Sequence, residues 1–301
     1  MSIFVCGSLH YDVVVDAPHL PRLDETVAGY AVQYVSGGKG GNQAIAAARM
    51  GVGTAFAGRI GDDASGEVLI KALVDAGVDT AQVQRAPGAS GMSVAIVDPG
   101  GGYGAVIVSA ANLDIDPSLI EVPENARVAV LQNEIPEAVN LAVALKARNQ
   151  GAAVILNAAP ARPMGKDLLQ AIDLLVVNRI EAADMLSTSE ARLDPVEGAK
   201  SLSDLGPRSV VITLGGDGLV LYDEGKASHQ PGHKVKVVST HGAGDAFLGA
   251  LAAAHATGSK LPEAARFGQA AAALHVSAAP PDRASITRDH VDSMLAHAGI
   301  R

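Results

Sequence analysis

From residue 125 onward, short apolar runs alternate with stretches of helical spacing, and this alternation restricts the fold more than any other feature. Strand-like runs lie at 128–131, 153–156, 174–177 and 210–213, with helical patterns such as 137–148 between them. A short apolar run between helices reads as a strand buried on both faces, and strands joined by crossover helices pair in parallel. The expected architecture is α/β, a parallel sheet with helices on both faces. The 301 residues, 48% of them hydrophobic, are enough to fill such a core.

The first 125 residues have a different rhythm. Strand-like segments lie at 2–6, 11–16, 28–35 and 52–58, and helices are expected at 43–50 and 65–75. Residues 92–97 and 105–108 flank Pro99-Gly100-Gly101-Gly102 and read as a hairpin. Two separate β-rich segments, 12–35 and 91–109, each lie beside a glycine-rich turn. They predict a small β subdomain covering a site as a lid. A second hairpin is expected between 219–222 and 234–238, and helices at 243–256, 262–277 and 288–298. No repeat or linker interrupts the pattern, so one domain is expected across 1–301.

Composition narrows the function. The net charge of −9, the lack of Trp and the presence of only 5 Tyr and 4 Phe argue against nucleic-acid binding, which uses basic surface and stacking aromatics. The single cysteine, Cys6, excludes an internal disulfide and a cysteine-built metal site, and its apolar run predicts a buried strand thiol. The 9 His show no metal-ligand spacing. No long apolar run predicts a membrane span; Asp245 and His255 interrupt the most apolar one, 242–258. No targeting pattern is visible, and a cytoplasmic protein is expected.

An α/β chain rich in glycine turns invites a phosphate-binding reading. The P-loop pattern is absent, because the Gly-Lys pairs at 38–39, 165–166 and 225–226 are followed by Gly, Asp and Ala. The dinucleotide fingerprint is also missing after the first strand, where Gly7-Ser8-Leu9-His10 stands. Four other segments carry polar chemistry. Thr240-His241-Gly242-Ala243-Gly244-Asp245 is expected between a strand and a helix. Its small residues let backbone amides meet an anion at the helix N-terminus, whose dipole should keep Asp245 ionised. Asp245 then suits a general base toward a hydroxyl that attacks phosphorus, although a helix-capping role fits the local sequence as well.

Gly37-Gly38-Lys39-Gly40-Gly41-Asn42 allows close backbone approach to a ligand, with Lys39 and Asn42 as donors; a plain turn before a helix is the alternative. Thr213-Leu214-Gly215-Gly216-Asp217-Gly218 can pass beneath phosphates or serve as a tight turn. Asn178 and Glu181 share a helix face and can organise Mg²⁺ and its waters, or act as a cap and a solvated carboxylate. Asp12, Glu134 and His10 follow predicted strands, where carboxylates suit sugar hydroxyls.

Together and in this order the motifs resemble the ribokinase-like (PfkB) carbohydrate kinase family. The segment from Gly37 to Ala44 is similar to its N-terminal signature and that from Thr240 to Asp245 to its C-terminal one. Gly61-Asp62-Asp63, Asn133-Glu134-Ile135-Pro136, Asn157-Ala158-Ala159-Pro160 and Asn178-Arg179-Ile180-Glu181 fall between them. The resemblance implies a three-layer α/β/α sandwich with a small β-sheet lid, often shared in a homodimer. It implies ATP- and Mg²⁺-dependent phosphorylation of a primary alcohol, with ribose the first substrate guess. Another ketose, a sugar acid, a nucleoside, or a non-catalytic sugar-binding regulator on the same fold are the alternatives.

In that frame Asp245 is the base and Gly242, Ala243 and Gly244 form the anion hole. The sugar falls to Asp12, Gly38, Lys39, Asn42 and Glu134, with His10 in the same pocket. ATP falls to Asn178, Thr213, Gly215, Gly218 and Gly244, with Gln269 near the adenine, and Mg²⁺ to Glu181 through water. The chain also departs from the family. His10 replaces a usual Asn, and Gln269 a usual His. Ala279-Pro280-Pro281-Asp282 replaces a more glycine-rich loop. Ser239-Thr240-His241 stands where Asp-Thr-Thr is typical, which removes an acid from the family's monovalent-cation site. Weak or absent K⁺ activation is therefore expected, with Ser239 and His241 marking a weakened site.

Overall fold

The structure is a computed structural model and describes residues 2–100 and 102–297. The chain opens with β1 (Ser2–Cys6), β2 (His10–Asp16), β3 (Ala31–Gly37), α1 (Lys39–Arg49), β4 (Gly53–Gly61), α2 (Ala64–Asp75), β5 (Val78–Ala86), β6 (Met92–Val97) and β7 (Tyr103–Val108). There follow β8 (Ala126–Gln132), α3 (Glu137–Asn149), β9 (Ala153–Asn157), α4 (Lys166–Gln170), β10 (Leu174–Asn178), α5 (Arg179–Met185) and α6 (Pro195–Ser203). The last part holds β11 (Ser209–Thr213), β12 (Leu219–Asp223), β13 (Lys226–Gln230), α7 (Ala243–Ala256), α8 (Leu261–Ser277) and α9 (Arg288–His297).

The large sheet runs β13-β12-β11-β10-β9-β8-β1-β4-β5. From β11 to β5 all pairings are parallel; β12 and β13 add an antiparallel edge. Side chains alternate along each strand, so both faces carry apolar rows. Ile3, Val5, Val128 and Val130 pack toward α1, α2, α7, α8 and α9. Phe4, Cys6, Ala129 and Leu131 pack toward α3, α4, α5 and α6. This is the expected three-layer arrangement. Cys6 is buried, and burial pushes its thiol up to about 12. Among the described residues no helix is long and apolar enough to cross a membrane.

Small residues set the spacing in the first helical layer. A Cβ at Gly249 on α7 would stand 2.5 Å from Ala46 Cβ and 2.7 Å from the Gln43 carbonyl on α1. A Cβ at Gly268 on α8 would stand 2.7 Å from the Phe247 carbonyl. These glycines allow α1, α7 and α8 to pack backbone to backbone.

A separate four-stranded sheet, β3-β2-β6-β7, is built from the two β-rich segments. Its register puts Tyr34, Val13, Val94 and Val106 in one row and Val32, Val15 and Ile96 in the next, on a shared face. The opposite face carries His10, Asp12 and Ser93. Direct partners across a sheet point the same way, so one face is apolar and the other mixes these polar residues with Val14, Val35 and Ile107.

Several expectations are corrected. The second hairpin joins β12 to β13 and does not reach 234–238. Glu224 and Gly225 both take positive φ, 49° and 78°, which forms a two-residue hairpin turn directly after β12. No strand precedes the Thr240 motif. The Val238 and Ser239 N–H groups instead donate to the Val276 carbonyl at the end of α8. β3 begins at Ala31 rather than residue 28, and α1 begins at Lys39, inside the glycine run. β5 escapes the sequence reading because Asp79, Gln82, Gln84 and Arg85 break its apolar pattern on a sheet edge. The end of the 288–298 helix and the centre of the Gly100–Gly102 turn lie outside the described residues.

Candidate active site

The chain leaves β1 toward β4 on one side and returns through β8 on the other. The ends of β1 and β8 thus form the switch point of the sheet, where open parallel sheets bind ligands. Glu134, just beyond β8, reaches across it. Its Oε2 accepts hydrogen bonds from the Ser8 hydroxyl and from the Lys39 backbone N–H at 2.9 Å. His10 Nδ1 lies 3.8 Å from the same oxygen. His10 and Asp12 are two apart on β2 and so share a face. Asp12 Oδ1 accepts from the Ser93 hydroxyl of the neighbouring strand. Burial holds the Asp12 carboxyl above its usual range, against the pull of Ser93, His10 and His241. Buried His10 Nε2 has no partner among the described residues, so it is free to meet a hydroxyl.

The glycine run at 38–41 packs closely on the chain itself. A Cβ at Gly38 would stand 2.8 Å from Leu9 Cα, and one at Gly40 2.6 Å from the Ser8 amide nitrogen. These glycines bring the start of α1 against the chain's own β1–β2 junction. The result is that Asn42 and Gln43 project from the first turns of α1 toward α7.

Asp245 is their target. Its Oδ2 accepts from Asn42 Nδ2 at 3.1 Å and its Oδ1 from Gln43 Nε2 at 3.0 Å. It is 9% exposed in the first turn of α7. Burial raises its pKa, opposed by the Lys39 charge and the two amides. A raised pKa moves a carboxylate toward the range where a general base works well near neutrality. Gln43 and Ser8 were missed from sequence, since neither residue type nor spacing marks a side chain whose partner lies far along the chain.

The α7 N-terminus is open. Gly242 takes φ 76° and no side chain caps the helix. Ala243 N–H bonds to the Thr240 carbonyl and Ala246 N–H to the Gly242 carbonyl, while the amides of Gly244 and Asp245 have no partner among the described residues. Nothing lies within 4 Å of a Cβ placed on Gly244, nor on Gly215 or Gly216. Unpaired amides facing open space at the positive end of a fourteen-residue helix suit phosphate oxygens.

Asn178 and Glu181 form a capping box on α5. Asn178 Oδ1 accepts from the Glu181 N–H and Glu181 Oε2 from the Asn178 N–H, both at 2.8 Å. The capping role is therefore filled. Only one Glu181 oxygen is used in it, and burial with the nearby Asp184 and Asp245 raises that carboxyl while Lys39 lowers it. No cluster of three metal-binding side chains occurs among the described residues. One half-free carboxylate beside an anion cradle fits Mg²⁺ bound mainly by phosphates and water.

Thr213 ends β11, and its hydroxyl donates to the Val177 carbonyl at 3.4 Å. Gly218 takes φ 97°, and a Cβ there would stand 2.0 Å from the Gln230 carbonyl, so this glycine serves the turn. Gln269 donates to that same carbonyl at 3.3 Å. The Ser239 and His241 carbonyls accept from Arg283, each at 3.0 Å.

Residues 1–285 match the family model of the pfkB family carbohydrate kinases. The chain belongs to the pfkB family of carbohydrate kinases. Among pfkB relatives it is 33% identical to the ribokinase of Haemophilus influenzae over 305 aligned positions, covering 99% of both chains. It is 34% identical to the ribokinase of Bacillus subtilis, covering 98% of this chain and 99% of that one. The fold matches Arabidopsis thaliana ribokinase complexed with ribose and ATP at a TM-score of 0.90 and 30% identity, covering 98% of each chain. Thermotoga maritima ribokinase matches at 0.88 and 30% identity, covering 98% and 99%. The pfkB chain described here is an ATP-dependent carbohydrate kinase on a ribokinase-like fold.

Proposed function

We propose that this kinase transfers the γ-phosphoryl group of ATP to the primary hydroxyl of ribose. The observation that carries the reading is Asp245, a buried carboxylate held by Asn42 and Gln43 beside the open amides at the start of α7. The similarity to ribokinases across the whole chain supports the substrate. Asp12, Glu134 and His10 form the sugar-facing polar set, with Gly38, Lys39 and Asn42 beside them. Asn178, Thr213, Gly215, Gly218 and Gln269 line the path of the nucleotide.

Asp245 accepts the proton of the attacking hydroxyl as its oxygen bonds to the γ-phosphorus. The bond from phosphorus to the β–γ bridging oxygen breaks, and ADP leaves with that electron pair. The amides of Gly242 and Gly244 meet the charge on the phosphoryl oxygens, with Ala243, whose N–H pairs with the Thr240 carbonyl, between them. Lys39, which acts electrostatically on both Asp245 and Glu181, balances the negative charge gathered there. Glu181 would hold Mg²⁺ through water, and the ion would supply further charge neutralisation at the phosphates.

The domain reading follows. The chain acts as one kinase domain, and the small sheet of 12–35 and 91–109 serves as its lid. The apolar face of that sheet supports a homodimer: Tyr34 is 61% and Val106 66% exposed in one cross-strand row. A cytoplasmic setting accords with ATP as donor.

The test is ADP release with Mg-ATP across ribose, deoxyribose, fructose, 2-keto-3-deoxygluconate and several nucleosides. Ribose should give the highest kcat/KM. A better substrate in the panel overturns the assignment to ribose, and turnover with none of them overturns the kinase reading.

A further inference from the structure

Arg283 is 8% exposed, yet no carboxylate pairs with it among the described residues. A buried guanidinium ordinarily has an acidic partner. This one is satisfied by backbone carbonyls instead. Nη1 donates to His241 at 3.0 Å, Nη2 to Ser239 at 3.0 Å, and Nε to Ala278 at 3.4 Å. The surroundings add positive groups, since Arg49 and His275 line the same small cavity of about 30 Å³. Leaving a charge there is costly unless the carbonyls it holds matter.

Those carbonyls lie immediately before the anion cradle. A trans peptide is planar, with its N–H opposed to its C=O. Holding the His241 carbonyl toward Arg283 therefore turns the Gly242 N–H the other way. His275 Nε2 lies 2.9 Å from the same carbonyl and Gly242 is in the left-handed region, so the peptide is fixed from several sides. The family resemblance read from the sequence implies an acid at the position of Ser239, within a site for a monovalent cation. Here a neutral side chain stands at that position and a fixed cation already occupies the carbonyls, so the residues do not fit a K⁺ site.

We propose that Arg283 is a positioning residue whose guanidinium orients the Ser239 and His241 carbonyls, and through them the Gly242 and Gly244 amides, in place of a monovalent cation. The proposal rests on the kinase reading above. It makes the enzyme indifferent to K⁺ and makes removal of Arg283 repairable by an added cation.

The test compares wild type, Arg283→Ala and Arg283→Lys in choline chloride, KCl and guanidinium chloride at equal, low ionic strength. Each sample gives kcat, the KM for ribose and a melting temperature. Wild-type kcat should vary less than about twofold among the salts. Loss of an anion-hole donor costs about 10²–10³ in rate, so loss of its support should cost roughly 10–100-fold in kcat. The ribose KM should stay steady, because His10, Asp12 and Glu134 are untouched. KCl or guanidinium should return much of the lost kcat and raise the melting temperature of the Ala variant, not that of wild type. The Lys variant should fall between, since one ammonium replaces a fork reaching two carbonyls.

Strong K⁺ stimulation of wild type overturns the proposal. So does a folded Ala variant with wild-type kcat, or one whose loss answers to neither cation. If the Ala variant does not fold, the wild-type arm and the Lys variant decide, and an unchanged kcat in the Lys variant overturns it. A wild type that phosphorylates no sugar defeats the kinase reading instead, and the melting temperatures still report on Arg283.

Discussion

Gln43 Nε2 donates to Asp245 Oδ1 at 3.0 Å and lies 3.1 Å from Asn157 Oδ1, so one amide ties α1, α7 and the end of β9 together. A hydrogen bond to the ionised form of a carboxylate lowers its pKa. Replacing Gln43 by Met removes that stabilisation. The acid limb of the kcat/KM profile should move to higher pH, and kcat at pH 7 should fall about tenfold. An unshifted limb in the pH–rate profile would remove Gln43 from this role.

Asp245 itself sets activity against stability. Burial raises its folded pKa above the ordinary carboxylate value, so the folded state holds the proton more tightly than the unfolded chain. Ionisation then favours unfolding, and the penalty is present at pH above the folded pKa and fades as pH falls through it. Asp245→Asn should lower kcat by about 10²–10⁴ with ribose binding retained. It should also raise the melting temperature at pH 8, with the difference shrinking toward acid pH. Calorimetry on both proteins across pH 5–8 checks the sign.

Glu181→Gln keeps an oxygen able to accept from the Asn178 N–H, so the α5 cap should survive. The variant loses the charge beside the phosphate cradle. The Mg²⁺ concentration for half-maximal rate should rise several-fold, with a small change in melting temperature. Titration of Mg²⁺ at fixed ATP separates this from a general loss of activity; an unchanged Mg²⁺ midpoint removes Glu181 from the metal.

The apolar face of the small sheet predicts assembly. Val106→Lys, alone or with Tyr34→Lys, puts charge in the middle of the exposed row without touching Asp12 on the other face. Sedimentation velocity at micromolar concentration should read a dimer for wild type and a monomer for the double variant. A wild-type monomer would leave that face without the proposed partner.

The sheet and its helices were readable because buried strands on both faces give apolar runs that need no context. β5 was not, since an edge strand keeps polar residues on its outer side. The mistaken strand at 234–238 shows the limit of apolarity as a guide: Val237 and Val238 look β-like, yet their segment is anchored to the end of α8. In the site, Asp245 and Asn42 were marked by their place in glycine-rich motifs. Gln43, Ser8 and Arg283 were not assigned a role, because what they do depends on partners distant in sequence. The glycines at 38–41 stand out in the sequence as turn formers, but their contact with the chain's own backbone at Ser8 and Leu9 is visible only in the structure.

The close approach of α1 to α7 through Gly249 has a bearing on how this enzyme tolerates change. Asn42 and Gln43 ride on one helix and Asp245 on the other, so the distance across which the base is gripped is governed by a contact about one turn of helix away that contains no polar side chain. A single added methyl at Gly249 would wedge Ala46 and the Gln43 carbonyl aside. Chemistry here is thus exposed to drift in residues that never meet the sugar or the nucleotide, and the ordinary distinction between a core that can be repacked and a site that cannot does not apply along this seam.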